Sequence, residues 1–194
     1  GFWVKADTTN PVLKVNEASK TTGGTFHGKK NVQNPIPAIT LKLEADTMRT
    51  TMYLSFKKGS HFGKDRYDAY RLLPFSNDSY LTLSGLWDNG TQLAIDNLPR
   101  KFGKPIEVPL EVSGLKYNQP LSGQFTLSWP DLKHVPDAWT LTLVDQETGQ
   151  ETNLNKTDFY SFDVKVPKGK RKARPDTNRN RLGGRHILTT KTKP

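Results

Sequence analysis

The sequence predicts an all-β protein, an antiparallel β-sandwich of jelly-roll or immunoglobulin-like type. Three observations carry this. Short runs alternate apolar and polar residues and are rich in Thr, Val, Ile, Leu and aromatics, the signature of half-buried strands. Glycine and proline, 15 and 13 in number, cut the chain into short pieces, as turns between strands require. No stretch of ten or more residues carries an apolar stripe at helical spacing. A short helical turn is expected only within 64–72.

Taken in order, the runs are Thr40-Leu41-Lys42-Leu43-Glu44, Thr51-Met52-Tyr53-Leu54-Ser55-Phe56 and Tyr80-Leu81-Thr82-Leu83-Ser84. Gln92-Leu93-Ala94-Ile95-Asp96 follows the same period, as does the run from Ile106 to Val112. Pro109 inside the latter points to an edge or a bulge. A second set begins near Gly123 with Gln124-Phe125-Thr126-Leu127-Ser128-Trp129, expected to end at Pro130. Trp139 to Asp145 and Gln150 to Leu154 flank Gln146-Glu147-Thr148-Gly149. They form the clearest hairpin, with Gly149 free to take a positive φ. Strands are also expected from Tyr160 to Val166 and from His186 to Thr190. The polar stretch 113–122 divides the pattern into a first sandwich portion, 1–113, and a second, 114–194. The residues fit two packed sub-domains or one continuous sandwich equally.

Charge is concentrated at one end. Of 29 Lys and Arg, eleven lie in 165–194, against one acid, Asp176; the preceding residues hold 18 basic and 18 acidic side chains. The net charge of +10 therefore belongs to the tail, and the body is neutral. Residues 167–184 lack periodicity and read as a basic loop, since buried charge is costly and apolar side chains are missing. If the chain binds anything by charge, the candidates are Lys168, Lys170, Arg171, Lys172, Arg174, Arg179 and Arg181. Their partners would be acidic glycans or lipopolysaccharide, bound in a salt-dependent way. Nucleic acid is disfavoured, because no Phe, Tyr or Trp follows Phe162 to stack on bases.

The chemistry-bearing residues give little. There is no cysteine, which excludes disulfides, thiolate metal sites and a cysteine nucleophile. His27, His61, His134 and His186 lack metal-ligand spacing, no serine-hydrolase elbow or phosphate-binding glycine loop is present, and no cofactor or metal is implied. No apolar run approaches the ~18–20 residues that span a bilayer, so no transmembrane segment is expected. Gly1 is not a natural start, and the chain reads as a mature or excised fragment. Asp65 and Asp68 are the one carboxylate pair that an enzyme fragment might use, though such clusters more often make turns. Asp88-Asn89-Gly90 reads as a turn. Trp3, Trp87, Trp129 and Trp139 are all expected to be buried, and Trp87, next to that turn, is the one tryptophan considered as an exposed ligand platform.

Several phrases occur in order along the chain: Phe2-Trp3-Val4, Gly23-Gly24-Thr25-Phe26-His27, the run from Phe62 to Leu72 containing Asp65-Arg66-Tyr67-Asp68-Ala69, Ile95-Asp96-Asn97-Leu98-Pro99, and Leu143-Val144-Asp145-Gln146-Glu147-Thr148-Gly149. Together they resemble the β-sandwich region found upstream of the type IX secretion sorting domain in large exported proteins of Bacteroidota. Arg71 stands where that pattern frequently has Lys, and 167–184 is longer and more basic than its usual loop. The resemblance implies a non-catalytic module, secreted or on the outer cell surface, that spaces or presents neighbouring domains. Its partners would be those domains and the type IX secretion machinery. It also implies structural roles for Asp65, Tyr67 and Asp68. Two rival readings remain at this point. One is a carbohydrate- or polyanion-binding adhesion module using Trp87 or the basic loop. The other is a subunit of a fibre or secretion complex, pairing through an exposed edge near Pro109 or at Ile187.

Overall fold

The computed structural model describes residues 9–14, 16–19, 35–74, 78–87, 90–100, 105–165 and 185–192. The chain forms two compact units, Gly1–Asn34 and Pro35–Pro194. In the first, the described residues hold one 3₁₀ turn, Glu17–Ser19, where the Ala18 N–H donates to Asn16 Oδ1 at 3.1 Å. The second carries the strands: β1 (Ala38–Ala45), β2 (Met48–Lys57), β3 (Ala69–Tyr70), β4 (Tyr80–Leu86), β5 (Gln92–Pro99), β6 (Ile106–Lys116), β7 (Gln119–Pro120), β8 (Gly123–Lys133), β9 (Trp139–Asp145), β10 (Glu151–Asn153), β11 (Phe159–Val164) and β12 (Arg185–Thr192). Their order is β10-β9-β12-β6-β4-β5-β2-β1-β8-β11, with β3 on β5 and β7 on β6. All pairs are antiparallel except β2–β5.

Alternation does what the sequence asks of it. Ile39, Leu41, Leu43 and Ala45 of β1, Met52, Leu54 and Phe56 of β2, Phe125, Leu127 and Trp129 of β8, and Trp139, Leu141 and Leu143 of β9 all point into one core. Phe56 and Trp139 meet edge to face, with ring centroids 4.7 Å apart and planes at 73°. Their strands, β2 and β9, are far apart in the strand order. The sheet must therefore curl back over itself, giving an all-β, sandwich-like fold with the core between its halves.

The two ends of the strand order, β10 and β11, are consecutive in the chain and joined by residues 154–158. Side chains secure this corner. The Trp129 indole N–H donates to Leu154 O at 3.0 Å and to Thr157 O at 2.6 Å. The Tyr160 hydroxyl donates to buried Asp145 Oδ2 at 2.7 Å. Asp145 also accepts the Glu147 N–H at 2.9 Å, and Gly149 takes φ +73°, so the β9–β10 turn forms as its residues demand.

Several elements differ from expectation. The division at 113/114 falls inside β6, and both portions contribute neighbouring strands to the one sheet. β8 does not stop at Pro130. Thr40 opposes Asp131 while Lys42 opposes Ser128, so Trp129 and Pro130 together face Leu41. This bulge accommodates the proline without breaking the strand. Residues 64–72 form turns and the short β3 rather than a helical turn. The edge expected near Pro109 or Ile187 is corrected too. β6 lies between β4 and β12, and β12 lies between β6 and β9, so the path ends at β10 and β11. The β4 ladder stops at Leu110, so Pro109 is registered only against Ile187 of β12. Trp3, the phrases before Asn34 and the basic stretch 167–184 lie outside the described residues.

Candidate functional site

The carboxylates singled out by sequence sit in the connection from β2 to β3, and their oxygens are engaged by backbone. Asp65 accepts the Tyr67 N–H at 2.7 Å and the His61 N–H at 3.0 Å. Asp68 accepts the Asp65 N–H at 2.6 Å and, across the fold, the Asn97 N–H of β5 at 2.7 Å. Asn97 completes the tie, donating from Nδ2 to Tyr67 O at 2.5 Å and accepting from Ser55 Oγ. The connection is thereby stitched to both β5 and β2. Burial pushes the Asp65 carboxyl up, but the Tyr67 and His61 amides outweigh it and hold the group below the ordinary carboxylate range. A carboxylate kept ionised by amide donors is a poor proton donor.

A third carboxylate, Asp96, carries no sequence signal of its own. It is fully buried. In the β2–β5 register it stands opposite Leu54, and its neighbour pair is Phe56 with Leu98. The apolar alternation of Leu93 and Ile95 suggests the opposite face, yet Ile95 is 39 % exposed. One oxygen, Oδ2, accepts the Trp87 indole N–H at 3.0 Å; among the described residues Oδ1 has no hydrogen-bond partner. Gly85 makes room, since a Cβ there would lie 3.0 Å from both Asp96 Oδ2 and Met52 Cε. Burial raises the Asp96 pKa to about 7, opposed by the Trp87 hydrogen bond and assisted by the negative charges of Asp68 and Asp65. At neutral pH this group titrates inside an apolar core, a costly arrangement.

Trp87 is thus half-buried, packed against the core and anchored inward through its N–H. Exposed Phe62 lies beside it, with ring centroids 6.2 Å apart and planes tilted by 50°. Of the remaining sequence candidates, Lys168, Lys170, Arg171, Lys172, Arg174, Arg179 and Arg181 lie outside the described residues.

Arg71, conspicuous in sequence only as a departure from Lys, is a structural clamp. Its Nη2 donates to Thr51 O and to Leu83 O, each at 2.6 Å. Those carbonyls belong to β2 and β4, which share no ladder. Burial lowers the Arg71 pKa, and among the described residues no carboxylate forms an ion pair with it. The planar fork of a guanidinium suits two backbone acceptors at once.

A shallow cleft of about 460 Å³ lies between β10 and β11, lined by Thr152, Asn153, Lys156, Phe159, Tyr160 and Ser161 among others. It brings no carboxylate pair together. Among the described residues no group of three His, Asp or Glu side chains converges to hold a metal, and no helix is long and apolar enough to cross a membrane. Compared with protein-family models, with curated proteins and with solved structures, the chain matches none.

Proposed function

We propose that this chain is a non-catalytic structural module of a large secreted or surface-anchored protein, spacing or presenting neighbouring domains ahead of a secretion sorting domain. The observation that carries the reading is the use of Asp65 and Asp68. Both oxygens of each carboxylate accept backbone N–H groups, and through Asn97 they fasten the 60–70 connection to the sheet. Carboxylates spent this way stabilise a scaffold rather than move protons. The balanced charge of the body, with the net charge confined to the last thirty residues, fits a scaffold as well. The resemblance of the ordered phrases to the region preceding type IX sorting domains supplies the cellular setting.

The test replaces this module, within its parent polypeptide, by an unrelated β-sandwich of matching span. The reading expects export and the activity of neighbouring domains to survive the exchange. Loss of a chemical activity that the isolated chain carries and that Asp65→Asn abolishes without unfolding it would overturn the reading.

A further inference from the structure

The cations that the basic tail draws attention away from are gathered on the 57–70 surface. Lys57 Nζ lies 3.8 Å from the Tyr67 ring centroid, and Arg66 Cζ lies 4.7 Å from it. Arg66 Nη2 also donates to the Tyr67 hydroxyl at 2.6 Å. Lys64 Nζ stands 5.2 Å from the ring of Tyr70 and donates to Asp65 O. Among the described residues none of these three cations forms an ion pair. The acids of the same turn, Asp65 and Asp68, point into the turn and are consumed by amides. Cations held by aromatic faces keep their charge, and Lys64 and Arg66 are exposed. Beside them Phe62 is 54 % and Tyr70 42 % exposed, more apolar ring than a turn needs for its own stability.

We propose that this surface binds an acidic carbohydrate, its anionic group held among Lys57, Lys64 and Arg66 and one sugar ring set against Phe62. Each part has a reason. Three cations outnumber the two acids of the turn, whose oxygens are taken by backbone amides, and the excess positive charge is relieved by an anion. Carboxylate and sulfate match the guanidinium fork of Arg66. Phe62 is the exposed ring here, while Trp87 beside it, tilted by 50°, is packed against the core. The Tyr67 ring already carries two cations and is taken for stacking. That geometry suits one pyranose ring rather than a row of stacked bases, which needs successive free aromatic faces. The turn is preorganised, since its backbone is fixed by Asp65, Asp68 and Asn97, so binding orders little. The site uses none of the basic-tail residues and does not depend on the spacer role.

The test titrates the full chain with tetragalacturonate, with a sulfated disaccharide and with neutral maltotetraose, following backbone amide shifts by NMR. Saturable shifts at residues 61–70 are expected with one or both acidic probes and none there with the neutral one; the acidic probe that binds more tightly identifies carboxylate or sulfate as the anion. The triple variant Lys57→Gln, Lys64→Gln, Arg66→Gln should weaken the better acidic ligand by about tenfold or more. Replacing the seven tail cations, Lys168 through Arg181, by Gln should change it by less than about twofold. If the triple variant does not fold, the shift map of the unsubstituted chain decides alone. Shifts confined to the tail, or equal binding of maltotetraose, would overturn the proposal. So would tighter binding of an oligothymidylate at 61–70, which would assign the surface to nucleic acid.

Discussion

Replacing Asp96 by asparagine should remove a pH dependence that the core itself creates. In the unfolded chain the carboxyl titrates near its ordinary value of 3.8; in the fold burial lifts it to about 7. Below pH 4 it is neutral in both states and costs nothing extra. Between 4 and 7 the unfolded chain ionises and the fold does not, so unfolding releases a proton and stability falls as pH rises. Above about 7 both states are ionised and the loss levels off. A rise from 3.8 to about 7, at about 1.36 kcal/mol per pH unit, is roughly 4 kcal/mol, a large share of the ~5–15 kcal/mol that holds a domain together. Asparagine keeps an oxygen for the Trp87 N–H and cannot ionise. Urea unfolding of both proteins from pH 4 to 9 gives a difference curve from which contributions common to the two proteins cancel. The reasoning expects the parent chain to lose roughly 4 kcal/mol relative to the variant across pH 4–8, by the same conversion. A flat difference, or one in which the parent gains as pH rises, would refute it.

Other outcomes follow from the same contacts. Arg71→Ala removes this donor from Thr51 O and Leu83 O and should cost about 2–6 kcal/mol in urea unfolding, from an unmade-bond penalty of about 1–3 kcal/mol each. Tyr160→Phe removes the donor to buried Asp145 and should cost about 1–3 kcal/mol, read as a lower unfolding midpoint. Truncation before Arg185 removes β12 from between β6 and β9; two unpaired edges then result, and light scattering should show an unfolded or aggregating product. Neutralising Lys168, Lys170, Arg171, Lys172 and Arg174 should leave the thermal midpoint within about 0.5 kcal/mol equivalent of the parent chain.

Most strands were legible because their alternation is local. Leu41 and Leu43, Met52 and Leu54, Phe125 and Leu127, Leu141 and Leu143 each declare a buried face within five residues. What could not be read is set by contacts between distant segments. The parallel pairing of β2 with β5, the bulge that carries Pro130 through β8 and the central place of β12 all depend on partners far along the chain. β5 is the instructive case. Its local pattern favours Leu93 and Ile95 as the inner face; Leu93 is fully buried, but Ile95 is exposed and pairing to β2 places Asp96 and Leu98 inward. The candidate site divides in the same way. Asp65 and Asp68 were visible as a pair, and the turn reading of them agrees with their hydrogen bonds. Their tie to Asn97, and the clamp of Arg71 across two strands, required the fold.

The most direct check on the scaffold reading is the unfolding free energy of Asp68→Asn. Asparagine can still accept the Asn97 N–H with one atom, but it turns an amide NH₂ toward the Asp65 N–H that the second oxygen now receives. A donor facing a donor loses one bond and strands another group, so a fall of about 2–3 kcal/mol in urea unfolding is expected. Stability within about 0.5 kcal/mol of the parent chain would contradict the claim that this carboxylate exists to hold the fold.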